Sequence, residues 1–211
     1  MPWIKTIPSG PFQTNAYLVG TDDSNQAVLI DAPPDCYPAV KKVLEGAGRH
    51  LSAVLITHPH FDHTLDTGRF TEDHIPVYAH PDAVVDIENP ETLGMIPTPE
   101  GGFPGGDVTN LISGGSTLKI AGMEISVLEV PGHSNGSLAF HIPEFSACFP
   151  GDVIFQSSIG RTDLPGGDFK TLAESIKTAI YTLEDVTVLY PGHGPETSVG
   201  REKNSNPFVK A

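Results

Sequence analysis

Thr57-His58-Pro59-His60-Phe61-Asp62-His63 holds three histidines and one aspartate within its last six residues. In an extended chain, side chains two residues apart point to the same side, so His58 and His60 can bind one ion. The chain then turns, which lets Asp62 and His63 face a second ion. With nine histidines in 211 residues, such a window arises by chance in about one chain per thousand. The stretch therefore predicts a metal site, and its imidazole and carboxylate groups suit zinc, iron or manganese.

Three later turns share one form, in which an apolar segment runs into Pro-Gly and then into a residue that can bind metal. They are Pro131-Gly132-His133, Pro150-Gly151-Asp152 and Pro191-Gly192-His193. Proline ends a strand and glycine permits a tight bend, so the next side chain is presented at the edge of a sheet. Together the four motifs predict a two-metal cluster built from His58, His60, Asp62, His63, His133, Asp152 and His193. The remaining histidines, at 50, 74, 80 and 141, are expected to have ordinary surface or core roles.

The rest of the chain predicts a layered α/β protein in one domain, residues 1–211. Short apolar segments bounded by Gly, Pro, Asp and Asn are typical of strands, several of them buried on both faces. Predicted strands cover Ala16–Val19, Ala27–Ile30, Ala53–Ile56, Ile125–Val130, Ser137–Ile142 and Val186–Tyr190. Apolar residues at three- and four-residue spacing predict helices over Tyr37–Glu45 and Phe169–Leu183. Strands mixed with helices in this order favour stacked layers.

Composition excludes several classes of function. The formal net charge is −14 and no Lys/Arg-rich run occurs, so nucleic acid would be repelled over most of the surface. Two cysteines do not make a disulfide framework. We find no signal peptide, and no apolar run approaches the roughly 20 residues that span a bilayer. The expectation is a soluble, cytoplasmic protein that acts on a small molecule, with no membrane partner and an undetermined oligomeric state.

Residues 89–116 differ in composition from the rest of the chain. They contain seven glycines and four prolines, which predicts a long irregular loop. Loops of this length in compact domains are usually functional lids or disordered segments. Both interpretations of this segment stay open at the level of sequence.

These motifs resemble the metallo-β-lactamase-fold superfamily and, within it, the glyoxalase II-like hydrolases. The resemblance extends from Asn15-Ala16-Tyr17-Leu18-Val19 through the metal motifs and Gly160-Arg161-Thr162-Asp163 to Asn206-Pro207-Phe208. It implies a four-layer αββα sandwich with the metals at one edge, between two sheets. It also implies two divalent metal ions, with zinc first and iron or manganese as alternatives.

The resemblance assigns a role to each motif residue. His58, His60 and His133 would hold the first metal, and Asp62, His63 and His193 the second. Asp152 would bridge the two metals, and with Asp62 it is the candidate catalytic residue. Asp31 matches an aspartate that supports the site without binding metal, and Arg161 lies in a loop that approaches the cavity and is a candidate substrate contact.

At three places the sequence departs from the pattern of particular subclasses of this superfamily, which narrows the choice among them. Asp152 stands where antibiotic-hydrolysing members commonly carry cysteine, which argues against a dedicated β-lactamase. His60 stands where oxygen-reducing di-iron members carry glutamate. The sequence also ends soon after Asn206-Pro207-Phe208, whereas full-length glyoxalase II enzymes continue into a helical extension with basic residues for glutathione.

The sequence therefore predicts hydrolysis of thioesters such as S-lactoylglutathione, by attack of a hydroxide held at the metals on the carbonyl. A thiolate leaves without a strong general acid, which suits motifs that hold no spare Lys or Glu. A persulfide dioxygenase of the same fold is the main alternative, with one iron held by His58, His133 and Asp152. A lactonase is the other alternative, since the same ligands would serve it.

Overall fold

A computed structural model of the chain describes residues 1–94, 100 and 103–211. Two six-stranded sheets dominate it, and a two-stranded hairpin, β11 (Ile154–Phe155) and β12 (Ser158–Ile159), lies beside them. In spatial order the first sheet contains β1 (Pro2–Ser9), β2 (Thr14–Thr21), β3 (Gln26–Ile30), β4 (His50–Leu55), β5 (Val77–Ala79) and β6 (Asn110–Leu111). The second contains β14 (Thr197–Ser198), β13 (Val188–Pro191), β10 (Ala147–Gly151), β9 (Leu138–Ile142), β8 (Met123–Glu129) and β7 (Thr117–Ile120).

Helices lie outside the two sheets. They are α1 (Cys36–Ala47), α2 (Phe61–Thr64), α3 (Thr67–Glu72), α4 (Val84–Glu88), α5 (Phe169–Ser175) and α6 (Val199–Ser205). Single 3₁₀ turns occur at Pro81–Ala83, Pro90–Leu93 and Pro143–Phe145. None of the described helices has the length and apolar character to cross a bilayer, and the longest, α1, has 12 residues.

Three separate hydrophobic cores establish the layers. On β2, Leu18 packs towards α1 while its neighbour Val19 packs between the sheets. Successive strand residues point to opposite faces, so a strand buried on both sides is apolar throughout. A third core, which includes Leu172 of α5, covers the far side of the second sheet. The predicted four-layer αββα sandwich is thereby confirmed.

Several elements, among them β5, β7, α3, α4 and α6, were not predicted, and two further differences have a clear physical reason. The N-terminal segment forms β1, an edge strand paired antiparallel with β2, although its prolines and exposed polar residues gave no strand pattern. Edge strands tolerate such residues because one side of the strand makes no backbone hydrogen bonds to another strand. The helix predicted over Phe169–Leu183 is α-helical only to Ser175 and continues as a π-helical segment, Ile176–Ile180.

The loop predicted over 89–116 is described only in part. Residues 95–99, 101 and 102 lie outside the described residues, and the lid hypothesis that involves them stays a prediction. Of the described part, Gly106 lies against α3, and Thr109 pairs with Val77 next to β6. Among the described residues, none from 89–116 lines the cavity at the histidine cluster.

Strand direction explains why the motifs meet at one edge. Strands β3 and β4 run parallel, as do β10 and β13, and two antiparallel pairings give β8 the direction of β10. The carboxyl ends of these strands therefore lie together. A hydrogen bond from the Leu138 amide to the Thr57 carbonyl, 2.7 Å, joins the two sheets at this edge.

Candidate metal centre

The seven predicted ligands come together at the shared edge of the two sheets. His58 and His60 follow β4, and α2 begins at the next residue and carries Asp62 and His63. The other three follow β8, β10 and β13. Their donor atoms form three groups within which all atoms lie within 4.8 Å of one another: His58, His60 and His133; His58, His63 and Asp152; and Asp62, His63 and His193.

The first of these groups contains only imidazoles. Its rings lie edge-to-face, with centroids 4.7 Å apart for His58 and His60 and 4.6 Å apart for His60 and His133. His60 Nδ1 is 2.9 Å from His133 Nε2. All three residues are buried. These two nitrogens form a hydrogen bond, which a cation bound by the three rings would replace.

The last group mixes imidazole with carboxylate. His193 Nε2 lies 3.2 Å from Asp62 Oδ2, and His63 Nε2 lies 3.7 Å from the same oxygen. His63 is fully buried, whereas the His193 side chain is 30% exposed. The Thr14 hydroxyl donates a hydrogen bond to Asp62 Oδ2 at 2.9 Å, which orients this carboxylate.

Asp152 lies between the two groups. Its Oδ1 is 3.4 Å from His63 Nε2, and its Oδ2 is 3.4 Å from His193 Nε2 and 3.8 Å from His133 Nε2. One carboxylate therefore reaches both sets of donors, the position expected of a bridging ligand.

Hydrogen bonds outside the cluster fix the tautomers of three histidines. Thr57 Oγ1 donates to Asp31 Oδ2 at 2.8 Å, so His58 Nδ1, 3.0 Å from Thr57 Oγ1, is the donor in that pair. Asp31 Oδ2 also accepts from His63 Nδ1 at 2.7 Å. His133 Nδ1 donates to the Arg161 carbonyl at 2.8 Å. Each bond occupies Nδ1 and turns Nε2 towards the cluster, as in metal sites whose histidines are oriented by outer partners.

The chemistry of the donors fits a metal cluster. His58 Nε2, His63 Nε2 and Asp152 Oδ1 are buried and make no hydrogen bond to any described residue. Buried polar atoms are normally paired, and an unpaired one calls for an explanation such as an ion. Three such atoms converge on one place here, and a divalent cation would satisfy all of them.

Electrostatics separates the two groups. Burial lowers the pKa of His58 well below its usual range and that of His60 to about 3, and neighbouring histidines add to both shifts. Burial also lowers the pKa of His133. These imidazoles are therefore neutral at physiological pH, the form that binds metal.

The second group has the opposite character. Burial opposes the charge of His63, but Asp152, Asp62 and Asp31 outweigh it and hold the pKa of His63 well above its usual range. Burial likewise opposes the charge of His193, yet hydrogen bonds to Asp152 and Asp62 raise its pKa to about 9. Without metal, these two histidines are protonated partners of the carboxylates.

Residues of β2 hold the turn that carries His193. The Asn15 side chain donates to the carbonyls of Pro191 and Gly194, both at 3.0 Å, and the Tyr17 hydroxyl donates to the Pro191 carbonyl at 2.7 Å. At Gly192 a side chain would collide with His63 and Asp152. The turn is therefore fixed from outside and kept free of side chains where it faces the cluster.

A cavity of about 540 Å³ opens above the cluster. Its lining, among the described residues, is Phe12, His60, Phe61, Asp62, His133, Asp152, Phe155, Arg161, Leu164 and His193. Arg161 thus lies at the cavity, where sequence analysis places it, but its guanidinium bonds Asp163 rather than pointing at the cluster. Sequence analysis missed the aromatic wall, because phenylalanine carries no signal that separates a cavity wall from a core.

None of the three donor groups among the described residues contains His50, His74, His80 or His141. Two supporting features were also missed by sequence analysis: the Thr57 hydroxyl and the Thr14 hydroxyl. Each lies next to a recognised motif, and hydroxyl residues beside a ligand cluster are the signal that would have found them.

Comparison with known proteins agrees with this geometry. The family described as "Metallo-beta-lactamase superfamily" matches residues 9–193. The probable metallo-hydrolase YqgX of Bacillus subtilis is 37% identical, over 99% of this chain and 98% of that protein. The hydroxyacylglutathione hydrolase GloC of Haemophilus influenzae is 33% identical over the same shares.

Solved structures show the same fold. A structure named BLEG-1 B3 metallo-beta-lactamase is 36% identical, with a TM-score of 0.89 over 99% of this chain and all of that one. TTHA1623 in a di-iron-bound form is 35% identical, with a TM-score of 0.80 over 97% and 100%. ETHE1 from Myxococcus xanthus is 25% identical, with a TM-score of 0.82 over 98% and 84%.

Proposed function

This chain belongs to the metallo-β-lactamase superfamily, and from that premise we propose that it hydrolyses thioesters at a two-metal site. The observation that carries the proposal is the pair of donor groups joined by Asp152. His58, His60 and His133 would hold the first ion and Asp62, His63 and His193 the second. Zinc is the first candidate, and the di-iron form of TTHA1623 makes iron the next.

Bound divalent ions supply Lewis acidity and lower the pKa of water to about 7, which provides a nucleophile at neutral pH. The protein residues hold this chemistry in place. Asp31 and Thr57 keep the histidine rings in one tautomer. Asp62, fixed by the Thr14 hydroxyl, has an oxygen at the cluster that can also accept a proton from the attacking water.

The cavity favours a leaving group that departs without protonation. Its described lining contains no lysine, cysteine or tyrosine, and its only carboxylates are the two assigned to metal. A thiol has a pKa near 8.5 in the cysteine case, so a thiolate leaves readily. An amine or alkoxide would need an acid that the described lining does not offer beyond the ligands themselves. This supports thioesters over amides.

S-D-lactoylglutathione is the first substrate to test, because GloC, 33% identical, is named a hydroxyacylglutathione hydrolase. The cavity of about 540 Å³ lies within the range of pockets for small molecules. We propose a small-molecule thioester as the substrate.

Steady-state hydrolysis of S-D-lactoylglutathione by purified protein tests the proposal. We expect turnover that chelation abolishes and zinc restores. The uncharged thioester S-lactoyl-N-acetylcysteamine serves as a second substrate, so that failure to bind glutathione is not mistaken for absence of hydrolysis. Metal-replete protein that cleaves neither compound would contradict the proposal.

The alternatives have their own assays. A persulfide dioxygenase would use His58, His133 and Asp152, but none of the three donor groups among the described residues combines these residues. Oxygen consumption with glutathione persulfide would reveal that activity. Because a neighbour of 36% identity is named a B3 metallo-beta-lactamase, a chromogenic cephalosporin belongs in the same panel, together with a lactone. Asp152 predicts that the protein is not a dedicated β-lactamase, and the cephalosporin assay tests this prediction.

A further inference from the structure

The wall of the cavity above the cluster is apolar. Phe12, Phe61, Phe155 and Leu164 form it, and Phe12 meets Phe61 edge-to-face with ring centroids 5.6 Å apart. Apart from the metal ligands, the only basic side chain in the described lining is Arg161. Any negative charge on a substrate, away from the reacting carbonyl, therefore has one side chain to bind.

That side chain already has a partner. Arg161 Nε and the terminal nitrogen Nη2 each donate to one oxygen of Asp163, both at 2.8 Å. A two-pronged bond of this kind matches one edge of the planar guanidinium to one carboxylate and offsets its positive charge, and it leaves only the Nη1–Nη2 edge for a second carboxylate. The hydrogen bond from Arg161 lowers the pKa of Asp163 to about 2, so Asp163 stays ionised at any pH at which the enzyme works.

Asp163 therefore competes with an anionic substrate in two ways. It occupies one of the two guanidinium edges that can bind a carboxylate in a two-pronged way, and its own charge repels a substrate carboxylate near the other edge. An uncharged substrate meets neither effect and still has the aromatic wall to bind. The positive charge of the metal cluster does not separate the two substrates, because both present the same thioester to it.

We propose that Asp163 is a specificity-determining residue that lowers the affinity of the cavity for thioesters of anionic thiols, such as glutathione, relative to thioesters of uncharged thiols. The inference rests on the proposed function, since it concerns the substrate of that site. It applies to binding as well as to turnover, which allows it to be tested without the reaction.

Calorimetric binding of two thioethers, which cannot be hydrolysed, provides the test. S-hexylglutathione carries carboxylates, and S-hexyl-N-acetylcysteamine presents the same alkyl group without charge. In Asp163→Asn we expect the Kd of S-hexylglutathione to fall about three- to fivefold, the scale of an exposed ion pair. The Kd of the uncharged thioether should stay unchanged. Asp163→Ala should act in the same direction.

Two controls separate this mechanism from a general charge effect. Glu124→Gln removes one exposed carboxylate at the far end of β8, where Glu124 pairs with Lys119 at 3.8 Å, and should change neither Kd. Adding Arg161→Gln to Asp163→Asn should cancel the gain, because the freed guanidinium is its source.

The inference is overturned if Asp163→Asn and Asp163→Ala leave the Kd of S-hexylglutathione unchanged, if they tighten both thioethers equally, or if Glu124→Gln has the same effect. It is also overturned if neither thioether binds the wild-type protein. Failure of the proposed function would look different: both thioethers bind as expected, but the metal-loaded enzyme cleaves no thioester.

Discussion

The two halves of the histidine–aspartate cluster differ in charge and exposure. His58, His60 and His133 are buried and neutral, with burial as the main cause of their lowered pKa values. In the other half, the carboxylates hold His63 and His193 protonated, and His193 is 30% exposed. The first half is thus ready for a cation, whereas the second already balances its charges with protons.

This difference determines how the two sites would fill. At physiological pH, a metal that binds the first half displaces no proton from its histidines, because they are already neutral. A metal at the second half must displace protons from His63 and His193, so its apparent affinity depends on pH. Asp152 contacts both halves and couples them.

The largest effect is expected from removing the shared ligand. Loss of a partner that only supports a metal ligand typically costs 10–100-fold, so Asp152→Ala should lower kcat/KM by more than about a hundredfold and abolish practical turnover. His60→Ala should do the same. Asp185→Ala, which removes an exposed carboxylate paired with Lys203 at 2.6 Å, is the matched control. Substantial activity in either ligand variant would refute the ligand assignment.

The next effect is on metal content as pH falls. Since the pKa of His193 is about 9 without metal, protons compete for the second half throughout the neutral range. Each displaced proton costs up to about tenfold in apparent affinity per pH unit below that pKa. The first half meets such competition only at much lower pH, because the pKa of His60 is about 3. Dialysis between pH 8 and pH 5 followed by elemental analysis should therefore show loss of one metal before the other.

Simultaneous loss of both metals, or loss independent of pH, would contradict the difference between the halves. Repeating the dialysis with His193→Ala sharpens the test. That variant should hold one metal from the start and lose it only at the lower pH.

A smaller effect is expected from Asp31, which supports both halves, His58 through Thr57 and His63 directly. Its Oδ1 accepts from the Thr57 amide at 2.8 Å, and its Oδ2 accepts from His63 Nδ1. Asp31→Asn keeps the first bond but turns a donor towards the other, so His63 loses its orientation. Asparagine also tolerates the left-handed backbone of position 31, where φ is 61°. We expect kcat/KM to fall about 10–100-fold, with the second metal bound more weakly. An unchanged metal content would contradict this role.

The smallest effect is expected at the turn outside the cluster. Tyr17→Phe removes the hydrogen bond to the Pro191 carbonyl, which should lower the free energy of unfolding by about 1–2 kcal/mol and kcat by less than about tenfold. Tyr190→Phe is the matched control, since its ring lies 5.7 Å from that of Tyr17 and its hydroxyl makes no hydrogen bond to a described residue. An equal loss of stability in both variants would show that the hydrogen bond from Tyr17 to the Pro191 carbonyl does not stabilise the turn.

The sequence predicted the donors of the cluster better than their support. The histidines and aspartates of the cluster are closely spaced or directly follow apolar strands, and this pattern is local, so His58 and its neighbours stand out. The hydrogen bonds that support the cluster join distant parts of the chain. Tyr17 and Pro191, for example, are 174 residues apart. The Arg161–Asp163 pair is local, but an exposed side chain has no pattern that fixes its partner. Strand β1 was missed because an edge strand needs no apolar alternation.

Titration of metal-stripped protein with zinc, recording thioester hydrolysis at each equivalent, shows whether the enzyme needs two metals. If it does, we expect little hydrolysis up to one equivalent at pH 8, because the first ion enters the imidazole half. Activity should then rise and reach its maximum at two equivalents. Full activity at one equivalent, or no hydrolysis of either thioester at two, would contradict two-metal thioester hydrolysis.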